Sequence, residues 1–252
     1  DGSDTSVAWP DDAVKAWDWT THDDWSFEAL GTGVTTNYDI ALLFLDEAVL
    51  DVDYAYLPQP DEGAQVVEGL DVVVVGWGQQ IATGWGESPP DGSYAIKQMG
   101  SSFISELGSH EFKVGEDETD VRKCHGDSGG PSFATLDVQT ADTLRLIGVT
   151  SHAYDNSDCD ETGGVDTRVD AYVDWIDAEL RARCEAGTRV WCEQEGIPDP
   201  ALEAKDVGFD SGDTGEESDD DKKACGCASG PSAPAGLALL GLVGLVALRR
   251  RR

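Results

Sequence analysis

The sequence predicts an all-β protein of barrel type that ends in one helix and a long polar tail. Its 252 residues are enough for one large β domain with appendages. Short apolar runs, such as residues 40–45 and 72–75, are separated by Gly, Asp and Pro, and this pattern favours strands. In residues 171–183, by contrast, Tyr172, Ile176 and Leu180 recur at every fourth position, which predicts a helix.

The most specific pattern in the chain is residues 124–131, which read Cys-His-Gly-Asp-Ser-Gly-Gly-Pro. Glycines on both sides of Ser128 permit a sharp turn, because glycine carries no Cβ. Such a turn exposes the serine hydroxyl and points successive backbone N–H groups at one spot. Those groups can stabilise the oxygen that becomes negative when an acyl group is attacked. A glycine-rich turn with an incidental serine is the alternative, but chance rarely produces so long a match.

This segment resembles the nucleophile loop of the trypsin/chymotrypsin family of serine proteases. The resemblance implies that Ser128 is the acylated nucleophile and that the N–H groups of Gly126 and Ser128 form the oxyanion hole. It also implies that Asp127 pairs with the α-amino group that zymogen cleavage frees. Residues 37–43 look like the family's Asp-Ile-Ala-Leu segment, so Asp39 would be the triad carboxylate that orients the histidine. A solvated loop end is the alternative for Asp39.

Further segments follow in the family's order. Residues 76–78 resemble a Gly-Trp-Gly that follows a strand, residues 147–151 resemble the strand that lines the substrate cleft, and residues 163–169 resemble the last strand. The resemblance covers roughly residues 15–183. It implies a trypsin-like double β-barrel with a C-terminal helix, in which the first barrel is incomplete in this chain.

The general base of the triad is the missing piece. In the family this histidine lies far ahead of the triad Asp in an Ala-Ala-His-Cys-like segment, whereas only 38 residues precede Asp39 and none forms that segment. His22 is a weak candidate, because its surroundings resemble a surface stretch between the family's histidine and Asp. We expect His110, His125 and His152 to be structural or to face the substrate.

Two interpretations therefore remain open. The first is an exported, surface-tethered serine endopeptidase that hydrolyses peptide bonds through a Ser-His-Asp triad and an acyl-enzyme, with its histidine upstream of this chain. The second is a catalytically inactive protease homologue that acts as a binding protein. We favour the first, and we expect the chain alone to hydrolyse peptides poorly.

By the same resemblance, the primary specificity pocket involves Arg122, Ser151, His152 and Gly164. Arg122 takes the place at the pocket floor where an Asp would select Lys or Arg, and Lys123 adds a second positive charge. A guanidinium can hold a carboxylate bidentately, so the pocket could accept an acidic side chain. A shifted loop that points both side chains at solvent is an equal alternative.

Six cysteines suit an oxidising compartment. The resemblance implies a disulfide between Cys124 and Cys159 that braces the specificity pocket. Cys184 and Cys192 flank a short segment and are expected to pair with each other. Residues 104–123 lack the cysteines of a further family disulfide, so this loop must be held by other means. Zinc is the alternative use, but the spacing lacks a paired Cys-x-x-Cys, and we expect no metal and no cofactor.

The net charge of −33 and the pI near 4.1 argue against nucleic-acid binding, because phosphate contacts need Lys and Arg. The same charge opposes attraction to anionic lipid surfaces. Solubility, or life in salty surroundings, is the simple explanation. Steering of cationic substrates is an option that salt would screen strongly.

Three parts divide the chain: a protease domain in residues 1–194, an acidic flexible linker in residues 195–224 and a sorting or anchoring tail in residues 225–252. The linker is rich in Asp, Glu, Gly and Ser and has too few apolar residues to offset the entropy of ordering. Its acidic residues do not follow the spacing of an EF-hand calcium loop.

The tail contains Cys225 and Cys227, an apolar run of 14 residues at 235–248 and four terminal arginines at 249–252. The run is shorter than the ~20 residues that span a bilayer, and the arginines mark a cytoplasmic end. This order resembles the MYXO-CTERM sorting tail of myxobacterial surface proteins. The resemblance implies processing by a sorting protease, with Cys225 or Cys227 as the lipid-attachment point. A short transmembrane anchor is the alternative.

Either arrangement would place the protease domain outside the cell. We expect an exported protein at the cell surface or outer membrane of a bacterium, or one released from it. Its expected partners are protein or peptide substrates, the sorting protease and the membrane through the tail.

Overall fold

The computed structural model of this chain describes residues 13–50, 52–83, 87–138, 143–155 and 159–200. Most of the predicted linker lies outside these residues, and so do Cys225, Cys227, the apolar run and the terminal arginines. No helix within the described ranges combines the length and the apolar character needed to cross a membrane.

Two strands near the start of the chain form a small antiparallel sheet. Strand β1 runs over Ala16–Thr21 and strand β2 over Ala41–Leu45, and a register shift in β1 lies between Ala16 and Asp18. Trp19 lies opposite Leu43, and both side chains are exposed, Trp19 to 66%. The sheet thus has one apolar face that no described residue covers, at the place where the incomplete first barrel is predicted.

Six further strands close into an antiparallel barrel in the order β3-β4-β5-β8-β7-β6. The strands are β3 Asp71–Gly76, β4 Gln98–Leu107, β5 Glu111–Val114, β6 Pro131–Thr135, β7 Leu144–Ala153 and β8 Gly164–Arg168. Alternate residues of β3 point inward, so Val72 and Val74 are buried while Val73 is less so. They pack with Ile104, Phe112 and Ile147 in a continuous apolar core. The predicted all-β barrel fold is confirmed.

Two helices follow in the last third of the domain. Helix α1, Cys159–Thr162, is a single turn, and helix α2 runs over Val173–Glu185 after a 3-10 turn at Asp170–Tyr172. The prediction of a helix at 171–183 is therefore confirmed, with its start and end shifted by two residues. Tyr172 and Ile176 pack with Ile40 in a second apolar cluster, which joins the helix to the segment that carries Asp39.

Residues 104–123, which lack the expected cysteines, are partly strand. They contain the end of β4, a tight turn in which the Gly108 N–H donates to the Glu111 carbonyl at 2.9 Å, and β5. Ser105 Oγ donates to the Gly115 carbonyl at 2.6 Å, and Lys113 Nζ lies 4.4 Å from the centre of the Tyr154 ring. These polar and cation–π contacts hold this part of the chain without a disulfide.

The described part of the chain continues past the predicted domain boundary at residue 194. The Ile197 N–H donates to Asp177 Oδ1 at 2.9 Å, and Ile197 packs on the second apolar cluster. Gln59 Nε2 donates to the Pro198 carbonyl at 3.3 Å. The folded domain therefore extends to at least residue 200, because an isoleucine in this acidic stretch finds an apolar surface to cover.

Candidate active site

The nucleophile loop connects β5 to β6 and exposes Ser128 at its turn. The Asp127 N–H donates to the Cys124 carbonyl at 3.0 Å, and the Gly130 N–H donates to the Asp127 carbonyl at 2.8 Å. Gly126 (φ 94°) and Gly129 (φ 77°) flank the serine in the left-handed region, which glycine adopts without strain. The loop therefore depends on its glycines for its shape.

The N–H groups of Gly126 and Ser128 are the predicted oxyanion hole. Within the described chain, neither N–H donates a hydrogen bond. A Cβ at Gly126 would lie 3.1 Å from Gly78 Cα, so a side chain at this position would push two loops apart. The geometry leaves two backbone donors next to an exposed serine hydroxyl, as acyl transfer requires.

Asp127 turns away from the surface and fixes the loop from inside. Its Oδ1 accepts from the Gly78 N–H at 2.7 Å, and its Oδ2 accepts from the Cys124 N–H at 2.9 Å. A Cβ at Gly76 or Gly78 would collide with this carboxylate, which explains the two glycines of the Gly-Trp-Gly motif.

A cavity of about 460 Å³ opens beside Asp127, between β3, β4 and the nucleophile loop. Val75, Gly100 and Arg122 are among its lining residues. The predicted pairing of Asp127 with a freed α-amino group would need such a space. That role stays a prediction, because both carboxylate oxygens bond to backbone N–H groups in this structure.

Asp39 lies between the small sheet and the barrel. Its Oδ2 accepts a hydrogen bond from Ser151 Oγ at 2.6 Å, and its carbonyl accepts from Thr167 Oγ1 at 2.8 Å. The preceding Tyr38 has φ 54°, an uncommon backbone conformation for an aromatic residue. The solvated loop end considered for Asp39 does not describe this setting, because its carboxylate is bonded to a barrel strand.

Strand β7 brings the two predicted catalytic residues together. The Gly129 N–H donates to the Thr150 carbonyl at 2.9 Å, and the Thr150 N–H donates to the Gly130 carbonyl at 2.9 Å. The next residue of the strand, Ser151, bonds to Asp39. The nucleophile loop and the triad carboxylate are thus attached to adjacent residues of one strand.

The histidines have other surroundings. His22 stacks on Tyr38 with ring centres 4.8 Å apart and lies 5.4 Å from the Trp175 ring, beside helix α2. His110 Nδ1 lies 2.9 Å from Ser109 Oγ in the β4–β5 turn. His152 Nδ1 lies 3.0 Å from Ser151 Oγ.

Further contacts join the histidines to other segments of the chain. His152 Nε2 lies 3.2 Å from the Gly33 carbonyl, and the His125 carbonyl accepts from the Gln79 N–H. No hydrogen bond joins Ser128 Oγ to a histidine in the described ranges. Nor do these ranges contain a group of His, Cys, Asp or Glu side chains that could hold a metal ion.

The predicted specificity pocket contains a buried ion pair that the sequence did not reveal. Lys123 Nζ lies 3.0 and 2.8 Å from the two carboxylate oxygens of Asp166, and it donates to the Gly130 carbonyl at 3.4 Å. Ser132 Oγ donates to the same carboxylate. The pair is almost fully buried. Burial lowers the pKa of Lys123, and the charge and hydrogen bonds of Asp166 oppose that shift.

Both interpretations of Lys123 are therefore wrong. Its amine neither adds net positive charge to the pocket nor reaches solvent, because Asp166 on β8 neutralises it inside the barrel. The one available signal was Asp166 itself, a carboxylate between Val165 and Thr167 within a predicted strand. A Cβ at Gly164 would lie 3.4 Å from Lys123 Cβ, so Gly164 and Lys123 form adjoining walls.

Arg122 follows a different path from Lys123. Its aliphatic carbons pack against Gly115 and Gly163, where a Cβ on either glycine would approach them to 2.8 and 2.9 Å. It is half-buried and also lines the cavity beside Asp127.

Both predicted disulfides are present. Cys124 bonds to Cys159 and thereby ties the nucleophile loop to helix α1, and Cys184 bonds to Cys192 after the C-terminal helix.

Comparison with known proteins agrees with this geometry. The family model described as Trypsin matches residues 15–176. Trypsin 5G1 of Aedes aegypti is 30% identical over 158 residues, which are 57% of this chain and 53% of that protein. Phenoloxidase-activating factor 1 of Holotrichia diomphalia is 33% identical over 57% of this chain and 40% of its own length. Spaetzle-processing enzyme of Drosophila melanogaster is 32% identical over 56% of this chain and 38% of its own.

The chain therefore spans about half the length of these relatives, or less. The family match, however, covers more than half of the chain and includes the nucleophile loop, the Asp39 segment and strand β7. By its sequence, its closed barrel and the arrangement of Ser128 and Asp39, this chain belongs to the trypsin family of serine proteases.

Proposed function

We propose that this chain is part of an exported serine endopeptidase in which Ser128 attacks the scissile carbonyl and forms an acyl-enzyme. Gly126 and Ser128 would donate their N–H groups to the oxyanion. Asp39 would orient a histidine supplied outside this chain and stabilise the imidazolium. Protein or peptide substrates would be hydrolysed through this Ser-His-Asp triad.

The observation that carries this proposal is the attachment of both catalytic residues to strand β7. Ser128 is followed by Gly129, which donates to Thr150, and Ser151 donates to Asp39 at 2.6 Å. A binding protein has no need to keep an exposed serine, two free backbone donors and a tethered carboxylate in one cleft. Acyl transfer needs all three.

The exposed apolar face of the small sheet supports the proposal that the catalytic histidine comes from outside this chain. Trp17 and Leu43 are each 48% exposed and Trp19 is 66% exposed, which is a large apolar area for one two-stranded sheet. Such a sheet is marginally stable by itself. Further strands of the first barrel would cover this face and bring the histidine toward Asp39.

A fluorophosphonate probe tests the proposal, because it labels only an activated serine. The histidine-bearing protein is the longer protein that would contain this chain together with the upstream histidine. We expect it to be labelled rapidly, not at all after Ser128→Ala, and more slowly by several orders of magnitude after Asp39→Asn. The present chain alone should label slowly. A histidine-bearing protein that folds but resists labelling would instead support the alternative, an inactive homologue that acts as a binding protein.

For specificity, we propose that Arg122 rather than Lys123 would recognise an acidic substrate side chain, because Asp166 occupies the amine of Lys123. Peptides varied at the residue before the cleaved bond test this point. A preference for Lys or Arg would contradict it, and so would an unchanged preference after Arg122→Gln.

We propose that Asp127 keeps the family's role in zymogen activation. The cavity of about 460 Å³ beside it supports this role, since a new chain terminus needs space next to the carboxylate. Activity that is independent of proteolytic processing would contradict it.

We further propose export, followed by tethering through the tail. The two disulfides and the acidic composition support an oxidising, extracellular setting. The proposed parts are the protease domain, the acidic linker up to residue 224 and a sorting tail in residues 225–252. A sorting protease would process the tail at Cys225 or Cys227 and leave the domain at a bacterial cell surface. Mass spectrometry of the mature C-terminus tests whether the tail is processed, and an intact end at residue 252 would contradict processing.

A further inference from the structure

We propose that Glu111 is a positioning residue that holds the Asp39 segment against the barrel from strand β5. The catalytic part of this inference rests on the proposed function, whereas the structural part does not. Glu111 is the first residue of β5 and is fully buried. It lies 72 positions after Asp39 in the sequence, so only the fold brings the two together.

Both oxygens of the Glu111 carboxylate bind the segment that precedes Asp39. Oε2 accepts from the Thr35 N–H at 2.7 Å and from Thr35 Oγ1 at 3.3 Å. Oε1 accepts from Asn37 Nδ2 at 2.9 Å. No Lys or Arg forms an ion pair with Glu111 in the part of the chain that the structure describes. Among the described residues, these hydrogen bonds therefore offset the free-energy cost of removing the Glu111 carboxylate from water.

Asn37 extends this hold along the segment. It is itself buried, and its Oδ1 accepts from the Gly31 N–H at 2.8 Å, while its Nδ2 also donates to Thr35 Oγ1 at 3.0 Å. The irregular stretch from Gly31 to Asn37 is thus organised around one carboxylate. Most of this stretch is half-buried or exposed, and its Gly33 N–H donates separately to the Tyr154 carbonyl just beyond β7, so the carboxylate organises chiefly the part from Thr35 to Asn37.

The residue between Asn37 and Asp39 is in an unfavourable conformation that needs support. Tyr38 has φ 54°, in the left-handed region that a bulky residue rarely adopts because it is unfavourable. Its ring stacks on His22 and lies 5.8 Å from the His110 ring. The backbone on its N-terminal side is held through Asn37 by Glu111. Loss of that hold would let Tyr38 relax and turn Asp39 with it.

Asp39 is consequently fixed from three strands that are neighbours in the barrel. Ser151 on β7 binds its carboxylate and Thr167 on β8 binds its carbonyl, while Glu111 on β5 binds the preceding segment. The contacts with Ser151 and Thr167 act on Asp39 itself and do not hold the segment that precedes it. The third one fixes the direction from which the chain arrives.

Glutamine is the sharpest replacement for Glu111, because it keeps the shape and removes one acceptor. Its NH₂ group would face either the Thr35 N–H or the Asn37 NH₂, and donors cannot bond to each other. Glu106→Gln is the matched control. Glu106 lies on the adjacent strand β4, and its carboxylate accepts from the Tyr154 hydroxyl at 2.7 Å and not from a donor of the segment that Glu111 holds.

The test is residue-resolved amide hydrogen exchange, measured by NMR on this chain without any substrate. In Glu111→Gln we expect the amides of Thr35 and Ile40 to exchange about tenfold faster than in the parent chain. The β3 amides, Val72 to Val75, should change less than about twofold. Glu106→Gln should leave the Thr35 and Ile40 rates unchanged.

Three results would overturn the inference. They are an unchanged Thr35 rate, an accelerated Thr35 with an unchanged Ile40, and an equal acceleration of the β3 amides. If Glu111→Gln does not fold, Asn37→Ala replaces it and removes the other half of the same hydrogen bond. The Ile40 amide is then expected to exchange about tenfold faster again, and an unchanged Ile40 rate contradicts the inference.

Activity supplies a second readout in the histidine-bearing protein. Glu111→Gln should lower kcat about tenfold and leave KM within about twofold, because a displaced carboxylate misaligns the base without touching the substrate. An unchanged kcat, or an equal loss in Glu106→Gln, contradicts positioning. A parent protein without hydrolytic activity would refute the proposed function, and the exchange result would still decide the role of Glu111.

Discussion

The closed barrel and the small β1–β2 sheet differ in how they bury apolar side chains. The barrel is complete, and two ion pairs are buried in and around it, namely Lys123–Asp166 and Arg145–Glu62. In the small sheet, Phe44 is buried on one face and Trp19 is exposed on the other. The barrel therefore carries its own stability, whereas the sheet that leads into Asp39 depends on what it packs against.

The candidate catalytic residues lie on both sides of this difference. Ser128 and the predicted oxyanion donors belong to the barrel, because the disulfide at Cys124 and the hydrogen bonds to Thr150 attach their loop to it. Asp39 belongs to the segment between the two regions and needs contacts from β5, β7 and β8 to stay in place. We expect perturbations of the barrel to unfold the protein and perturbations of the small sheet to displace the triad.

The largest effect is expected for the buried pair in the barrel. Lys123→Met would leave the Asp166 carboxylate buried without its cation and should lower the free energy of unfolding by about 3–5 kcal/mol. The double variant Lys123→Met/Asp166→Leu should recover most of this loss, because it removes both charges. Urea denaturation measures both. Arg181→Met, which breaks an exposed pair with Asp177, is the control and should cost less than about 1 kcal/mol.

A single Lys123→Met variant that is as stable as the parent would contradict this view of the barrel. It would mean that water or another group reaches Asp166 and replaces the amine. A double variant no more stable than the single one would show that the pair supplies specific packing as well as charge balance.

The sequence predicted the parts of the molecule that are encoded locally. The glycines around Ser128 and the apolar runs of the strands have short-range causes, so the nucleophile loop, the barrel class and the C-terminal helix followed from them. The resemblance also supplied the pairing of Cys124 with Cys159, which the structure contains.

Long-range polar pairs could not be predicted in the same way. Lys123 and Asp166 are 43 positions apart, and Glu111 and Asn37 are 74 apart, so neither side chain signals its partner locally. The sequence therefore indicates a free charge at Lys123, either in the pocket or in solvent, although Asp166 neutralises it. A charged residue within a predicted barrel strand, such as Asp166, is the useful warning, because a side chain that faces the core needs a buried partner somewhere else in the chain.

A smaller effect should separate the two faces of the small sheet. Phe44 is 5% exposed and lies under the guanidinium of Arg183, 3.9 Å from its ring centre. Phe44→Ala should cost about 3 kcal/mol, because it removes a buried aromatic side chain. Trp19→Ala on the exposed face is the matched control and should change stability by less than about 0.5 kcal/mol. Equal losses in thermal unfolding would mean that the Trp19 face is covered in solution.

The smallest effect is expected in the pH dependence of stability. It is compared between one carboxylate–arginine pair from each region. Arg145 binds Glu62 through two nitrogens, at 2.8 and 2.9 Å. Burial raises the pKa of Glu62, but the hydrogen bonds and charge of Arg145 and the Gln59 N–H outweigh it, so the pKa lies below its ordinary value of 4.5. The stabilisation is therefore fully present above pH 4.5 and is lost as the pH falls through the lowered pKa.

Glu62→Gln should accordingly cost about 2 kcal/mol at pH 7, and this difference from the parent should shrink as the pH falls below 4.5. In the small sheet, the hydrogen bond to Arg183 lowers the pKa of Asp18, but Asp18 is open to solvent. The effect of Asp18→Asn should therefore be smaller and should disappear in 1 M salt, whereas that of Glu62→Gln should persist because a buried pair is poorly screened. Denaturant unfolding at several pH values and two salt concentrations measures both, and equal salt sensitivity would contradict the contrast between a closed barrel and an open sheet.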